Sequence, residues 1–155
     1  MNWFHFGSRV QKIEHYRDMV EEALVSLGYK TPESVETESG FRWEISYGNA
    51  YINIELLRSK AEGVGLFAAY SPILRFPTEK QLILPMYRRL LELNNYYYIG
   101  PVKFFVYEDV VAVGASKSLK NIEKEDMVDI VEAVSFVADE YNDRLSEEFS
   151  APKIR

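Results

Sequence analysis

At 155 residues, with 47% hydrophobic and 27% charged side chains, the chain has the size and make-up of one globular domain, which excludes a disordered, collagenous or disulfide-scaffold protein. It contains no cysteine, so disulfides, thiol catalysis and cysteine-based zinc sites are ruled out. The 18 basic residues against 24 acidic ones leave a net charge of −6, which disfavours general binding to nucleic acid or to an anionic membrane. No apolar run approaches the roughly 18 residues needed to span a bilayer. The opening residues Met1 to Gly7 have neither a basic lead nor a long apolar stretch, so a cytoplasmic protein is expected.

After an aromatic arm over residues 1–7, a single domain is expected over 8–148. Val10, Ile13, Val20, Leu24 and Leu27 fall on one stripe of a helix, with Ser8 placed to cap it and Gly28 and Pro32 placed to end it. The period then changes to two. A short strand around Ser34 to Glu38 precedes one in which Phe41, Trp43, Ile45 and Tyr47 alternate with polar neighbours. Gly48-Asn49 turns the chain into a strand carrying Ile52, Ile54 and Leu56, and a fourth strand is expected from Val64 to Ser71, stopping at Pro72. Thr78 and Gln81 match a capping box ahead of Leu82, Met86, Leu90 and Leu93 at helical spacing. Pro85 inside that pattern is best placed in the first helical turn, with 78–84 as a looser lead-in. Val102 to Tyr107 and Val110 to Ala115 form a hairpin across Glu108-Asp109. A last helix from Glu123 to Glu147 carries Met127, Ile130, Val131, Val134, Ala138, Tyr141 and Leu145 on one face. Ten acids against Lys124 and Arg144 over 121–148 give it a local charge of −8, read first as a solvated face. The tail, 149–155, is expected to be disordered.

This pattern predicts an α+β fold, an antiparallel sheet in the order α-β-β-β(β)-α-β-β-α. The first and last helices should lie on one face, over a core of Trp43, Ile52, Ile54, Phe104 and Val113.

Catalytic and cofactor signatures fail one after another. Gly63, Gly65 and Ala68 have dinucleotide-fingerprint spacing but sit between a polar turn and a β-like run, where the fingerprint needs strand, turn and helix. Ser150 and Lys153 match S-x-x-K without its companion motifs. His5 and His15 have no serine or threonine arranged as a nucleophile. Asp139, Asp143 and Glu147 share a helix face, but no second segment contributes the further oxygens a hard cation gathers. No catalytic residue, cofactor or metal is therefore assigned, and the chain is not expected to be an enzyme. The aromatic residues carry the binding expectation instead: Trp3, Phe4 and Phe6 in the arm, and Tyr96, Tyr97 and Tyr98 after the second helix. Three consecutive tyrosines in an extended segment cannot all enter one core, so at least one faces outward or meets a partner.

The run Leu90-Leu91-Glu92-Leu93-Asn94-Asn95, the strand pair from Phe104 to Ala115, and a helix opening at Asp126-Met127 and closing at Ala138-Asp139-Glu140-Tyr141 together resemble the YbjN family. The resemblance implies a fold like that of type III secretion chaperones. It also implies a non-enzymatic protein-binding module, chaperone-like or regulatory in stress or sensory pathways, acting as a homodimer. The aromatic arm is not a feature of that resemblance. A small-molecule-binding domain using the concave sheet face is the alternative, recognisable by a pocket with convergent polar groups on the face that the helices leave open. Homodimerisation also follows from unpaired sheet edges and from more apolar side chains than one small core uses.

Overall fold

The structure, a computed structural model, describes residues 13–30, 32–59 and 65–154. Helix α1 (Ile13–Ser26) is followed by strands β1 (Val35–Thr37), β2 (Gly40–Tyr47), β3 (Ala50–Leu57) and β4 (Leu66–Arg75). Helix α2 (Ile83–Asn94), strands β5 (Lys103–Tyr107) and β6 (Val110–Ser118) and helix α3 (Lys124–Phe149) complete the chain. The six strands form one antiparallel sheet in the order β1-β2-β3-β4-β6-β5, so the fold class and element order match the expectation.

Alternation in sequence becomes alternation in burial. Phe41, Trp43 and Ile45 are buried while Arg42, Glu44 and Ser46 are exposed, and the register Trp43↔Ile54↔Ala69↔Ala115 carries the apolar side of each strand onto one face. Helix α3 lies on that face against β2, β3, β4 and β6, burying Met127, Val131, Val134, Ala138 and Leu145. Its Tyr141 ring meets Phe104 edge-on at 5.3 Å. Helix α1 packs beside α3 through Tyr16, Val20, Ala23 and Leu24 and also touches β3. The five expected core residues are all buried. The Ser8 cap, Val10 and the aromatic arm lie outside the described residues.

Helix α1 ends as expected at Gly28, where φ is +97° and the Tyr29 N–H donates to the Leu24 carbonyl. At the β2–β3 turn, Gly48 has φ +55°, and a Cβ there would come within 2.3 Å of Asp139 Oδ1, which accepts the Asn49 N–H at 2.9 Å. The turn is thus tied to α3 and closes on a residue without a side chain.

Four expectations are corrected. Strand β4 does not stop at Pro72 but runs to Arg75 through a register shift between Pro72 and Leu74, because proline spoils only the ladder its nitrogen faces. Pro72 keeps its place opposite Ala112 of β6, while the β3–β4 ladder ends at Asn53↔Tyr70. Second, the Thr78–Gln81 capping box does not form. Helix α2 starts at Ile83 after a 3-10 turn over Lys80–Leu82, since a start at Thr78 would put Pro85 in the helix interior. Gln81 donates to Glu79 instead, and Pro85 sits in the first helical turn as predicted. Third, Tyr97–Ile99 is a 3-10 turn rather than an extended segment. Fourth, residues 149–154 are not a disordered tail. Phe149 closes α3 and is buried, Ala151 is buried, and the chain then runs antiparallel to β4 with a bridge between Leu74 and Lys153. An apolar pair at 149 and 151 gives this segment a reason to stay down.

Strand β5 is one outer edge of the sheet, and Asn94 at the end of α2 covers it. The Asn94 side chain donates from Nδ2 to the Phe104 carbonyl at 3.0 Å and accepts the Phe104 N–H on Oδ1 at 2.7 Å. One amide therefore satisfies both outward backbone groups of Phe104, as a neighbouring strand would. Lys103 Nζ adds a bond to the Asn94 carbonyl at 3.2 Å, placing a cation at the C-terminal end of α2. Replacing Asn94→Ala strands a half-buried donor and acceptor and should lower the unfolding free energy by about 1–3 kcal/mol. Urea denaturation followed by tryptophan fluorescence measures this; a loss below about 0.3 kcal/mol would show that water replaces the amide without cost.

Candidate partner-binding surface

Helix α2 is apolar on two sides. Met86, Leu90 and Leu93 are buried and hold the helix against the body, where it packs on β5. Leu84, Tyr87 and Leu91, spaced i, i+3 and i+7, point the other way, with Leu84 76% and Leu91 70% exposed. Tyr87 is steadied by the Phe76 ring at 5.1 Å. Arg88 and Glu92 pair across one turn at 2.9 Å, so the stripe has a charged border. A second apolar face on a helix already anchored by its first is surface that the fold itself does not use.

The tyrosine run follows directly, and all three rings face outward, in keeping with the expectation that at least one does. Tyr96, Tyr97 and Tyr98 are exposed, Tyr97 by 77%, and stack on one another with Tyr97 and Tyr98 centroids 4.1 Å apart. The tight 3-10 turn keeps them together. A hydrogen bond with Tyr98 raises the Tyr97 phenol above its ordinary range. Of the six aromatic candidates, the structure thus brings together Tyr96, Tyr97 and Tyr98, while Trp3, Phe4 and Phe6 lie outside the described residues. Sequence reasoning missed Leu84 and Leu91, although two leucines seven apart and off the core stripe were the available signal. It also missed Phe105 and Tyr107, which stand partly exposed and stacked at 6.1 Å on the helix-free face of β5.

Elsewhere on that open face a polar group forms across β2, β3 and β4. Arg42 donates twice to Glu55 Oε1, at 3.0 and 2.7 Å, and Tyr70 donates to the same oxygen at 3.2 Å. Partial burial, and then the Glu55 charge, push the Tyr70 phenol up, while the bond to Glu55 raises Arg42. Two clefts stand out among the described residues. One, of about 640 Å³, is a shallow acidic hollow among Asp18, Glu21, Glu22 and Lys124. The other, of about 510 Å³, lies between the β2–β3 turn and the carboxy-terminal segment. Among the described residues no three metal-ligating side chains cluster and no helix is long and apolar enough to cross a membrane. Asp139 is engaged by the Asn49 N–H and Asp143 by Lys153. Gly65 to Ala68 enters strand β4, without the helix a dinucleotide site needs. His15 is exposed beside Tyr16.

The start of the acidic helix has a defined electrostatic lock. Asp126 accepts the Glu123 N–H at 2.9 Å and the Lys117 ammonium at 2.6 Å, closing a capping box with Glu123.

Compared with known proteins, the chain matches no family model, and no curated protein matches it. Solved structures do match. A chain of the ExsC–ExsE complex superposes with a TM-score of 0.62 at 14% identity, covering 84% of this chain and 93% of that one. YbjN from E. coli gives 0.53 at 18% identity over 88% and 94%. The Yersinia pestis type III secretion chaperone SycH, solved with a fragment of YscM2, gives 0.53 at 13% identity over 79% and 96%. The chain therefore has the fold of YbjN and of the type III secretion chaperones, and at these identities the likeness concerns the fold.

The bonds from Lys117 and Glu123 hold the Asp126 carboxyl below its ordinary range. A depressed folded-state value means a contribution present above the unfolded carboxylate value, near pH 4, and lost as pH falls through the folded one. Amide exchange over the first turn of α3 should therefore accelerate below about pH 4 ahead of the rest of the helix. Asp126→Asn should show that faster exchange already at pH 7; equal protection in variant and wild type would disprove the lock.

Proposed function

We propose that this chain is a non-enzymatic protein-binding module, chaperone-like or regulatory, that acts in the cytoplasm as a homodimer. The observation that carries this is the two-sided helix α2, whose outer stripe of Leu84, Tyr87 and Leu91 stays exposed among the described residues. Water-exposed leucine surface costs free energy that a second copy removes, and a two-fold axis lets one stripe serve both partners. The tyrosine turn adjoins the stripe in the chain and supplies the aromatic anchors typical of interfaces. Helix α3 stays outside the contact, since its acidic face would meet its own copy with like charge.

Support for a protein partner comes from structures that share this fold and were solved in complexes, among them SycH with a fragment of YscM2 and ExsC with ExsE. The alternative of a small-molecule site on the open sheet face has less behind it. The groups that converge there, Arg42, Glu55 and Tyr70, bond to one another instead of lining an enclosed cavity. A role in stress or sensory pathways and the absence of catalytic turnover belong to the same reading, which assigns the chain binding and no reaction.

Light scattering at micromolar concentration should give twice the chain mass. Leu84→Asp combined with Leu91→Asp should yield a folded monomer, weakening association by at least about 100-fold, because each buried leucine contributes roughly 1.5–3 kcal/mol. Tyr97→Ala should weaken it by about tenfold. A monomeric wild type overturns the dimer; a dimer indifferent to all three changes places the interface elsewhere.

A further inference from the structure

The sheet is split at one end, where β3 and the carboxy-terminal segment face each other with no ladder between them among the described residues. On one lip, the two-residue turn Gly48-Asn49 makes Tyr47↔Ala50 the closing hydrogen-bonded pair of the β2–β3 hairpin. Bonding alternates from there, so the backbone N–H and C=O of Tyr51 point away from β2. On β4 the position facing them is Pro72, which has no N–H, and the β3–β4 ladder stops two residues short, at Asn53↔Tyr70.

The other lip is the carboxy-terminal segment. Arg75 N–H donates to the Pro152 carbonyl at 2.8 Å and Ile154 N–H to the Ile73 carbonyl at 3.1 Å. These bonds flank the Leu74↔Lys153 bridge, so the backbone N–H and C=O of Lys153 point away from β4, towards β3. Between the lips lies the cleft of about 510 Å³, lined by Ser46, Asn49, Tyr51, Lys153 and Ile154. Its floor includes Asn142 of α3, only 3% exposed, whose Oδ1 is sealed from solvent and has no hydrogen-bond partner among the described residues. A buried acceptor without a donor is costly, and the residue that carries it lines the cleft.

We propose that the split is a docking slot for a short extended segment of a partner protein, inserted as a strand between β3 and the carboxy-terminal segment. Direction favours it. The carboxy-terminal segment is antiparallel to β4 and so parallel to β3, and a strand entering between them antiparallel to both leaves every pairing in the sheet antiparallel. Alternate residues of such a segment pair with Tyr51 and with Lys153. The residue turned towards α3 brings a short hydroxyl, serine or threonine, over Asn142, whose amide turns into the cleft to accept from it, and its neighbours lay apolar side chains against the exposed Tyr51 ring. Facing backbone edges, rather than convergent side chains, make the occupant a peptide rather than a small metabolite. This deepens the protein-binding reading and rests on it, but uses a part of the fold separate from α2.

The test uses the full chain and a fluorescein-labelled hexapeptide of alternating threonine and valine, titrated by fluorescence anisotropy. Binding should be saturable, and methylating the backbone nitrogens of the peptide should weaken it by at least about tenfold, since each lost backbone bond is worth a factor of about five. Replacing the threonines with valine, or Asn142→Leu in the protein, should each weaken it by about fivefold, and the two together by no more than either alone. The valine peptide on wild-type protein keeps the donor question open to test if Asn142→Leu does not fold. Hydrogen exchange should slow at the amides of Tyr51 and Lys153. The α2 variant carrying Leu84→Asp and Leu91→Asp should bind the peptide as wild type does, which separates this slot from the dimer face. Absence of saturable binding at millimolar peptide, equal affinity of the methylated peptide, or protection confined to other strands would overturn the proposal.

Discussion

One long helix covering one face of the sheet is the constraint on which the other features depend. Helix α3 has 26 residues and so runs about 39 Å, whereas six strands at about 4.8 Å spacing make a sheet roughly 24 Å across. A single helix can therefore cross β2, β3, β4 and β6 and bury the apolar side of each. Helix α1 then needs only to pack beside α3, through Tyr16, Val20, Ala23 and Leu24. The opposite face of the sheet is left to water, which explains the polar Arg42–Glu55–Tyr70 group there. Helix α2 lies against β5, reaches the end of α3 through the Arg89–Glu148 pair, and keeps an apolar face turned outward.

A sheet covered in this way still has to deal with its edges, and the chain does so with isolated groups instead of further strands. Asn94 occupies the outward backbone groups of Phe104 with a single side-chain amide. At the other place where pairing fails, the cause is the missing N–H of Pro72, and the segment after α3 takes up the β4 side of the gap with two backbone bonds. The Lys153–Asp143 pair and the Ser146 hydroxyl bond to the Ala151 carbonyl hold that segment to the last turns of α3. The same helix that organises the core therefore also fixes the split in the sheet, through Asp139 on one lip and Asp143 and Ser146 on the other.

Much of this architecture is legible in the amino-acid sequence. Alternation from Phe41 to Tyr47 and from Tyr51 to Leu56 specifies which side of β2 and β3 is buried, because a one-residue slip would exchange the two faces. Pro85 locates the first turn of α2, and Gly28 the end of α1, since each restricts its own backbone whatever surrounds it. The run Leu90 to Asn94 is recognisable as a pattern, but its physical content, an asparagine facing the edge of β5, appears only when a strand ten residues later is brought beside it. The tyrosine run is expected from its spacing to face outward in part, whereas the exposed leucines of α2 are hidden behind the stronger signal of the core stripe.

What the sequence by itself determined is local: the type and order of the elements, the buried face of each strand, and the absence of recognisable catalytic motifs. Periodicity and the backbone limits of proline and glycine act over a few residues, so a few residues suffice to reveal them. Tertiary structure decided what depends on distant partners: the passage of β4 through Pro72, the docking of 149–154 along β4, and which face of α2 remained exposed. Those outcomes follow from how one long helix, one sheet and one missing N–H divide the available space, and no short window of sequence contains all three.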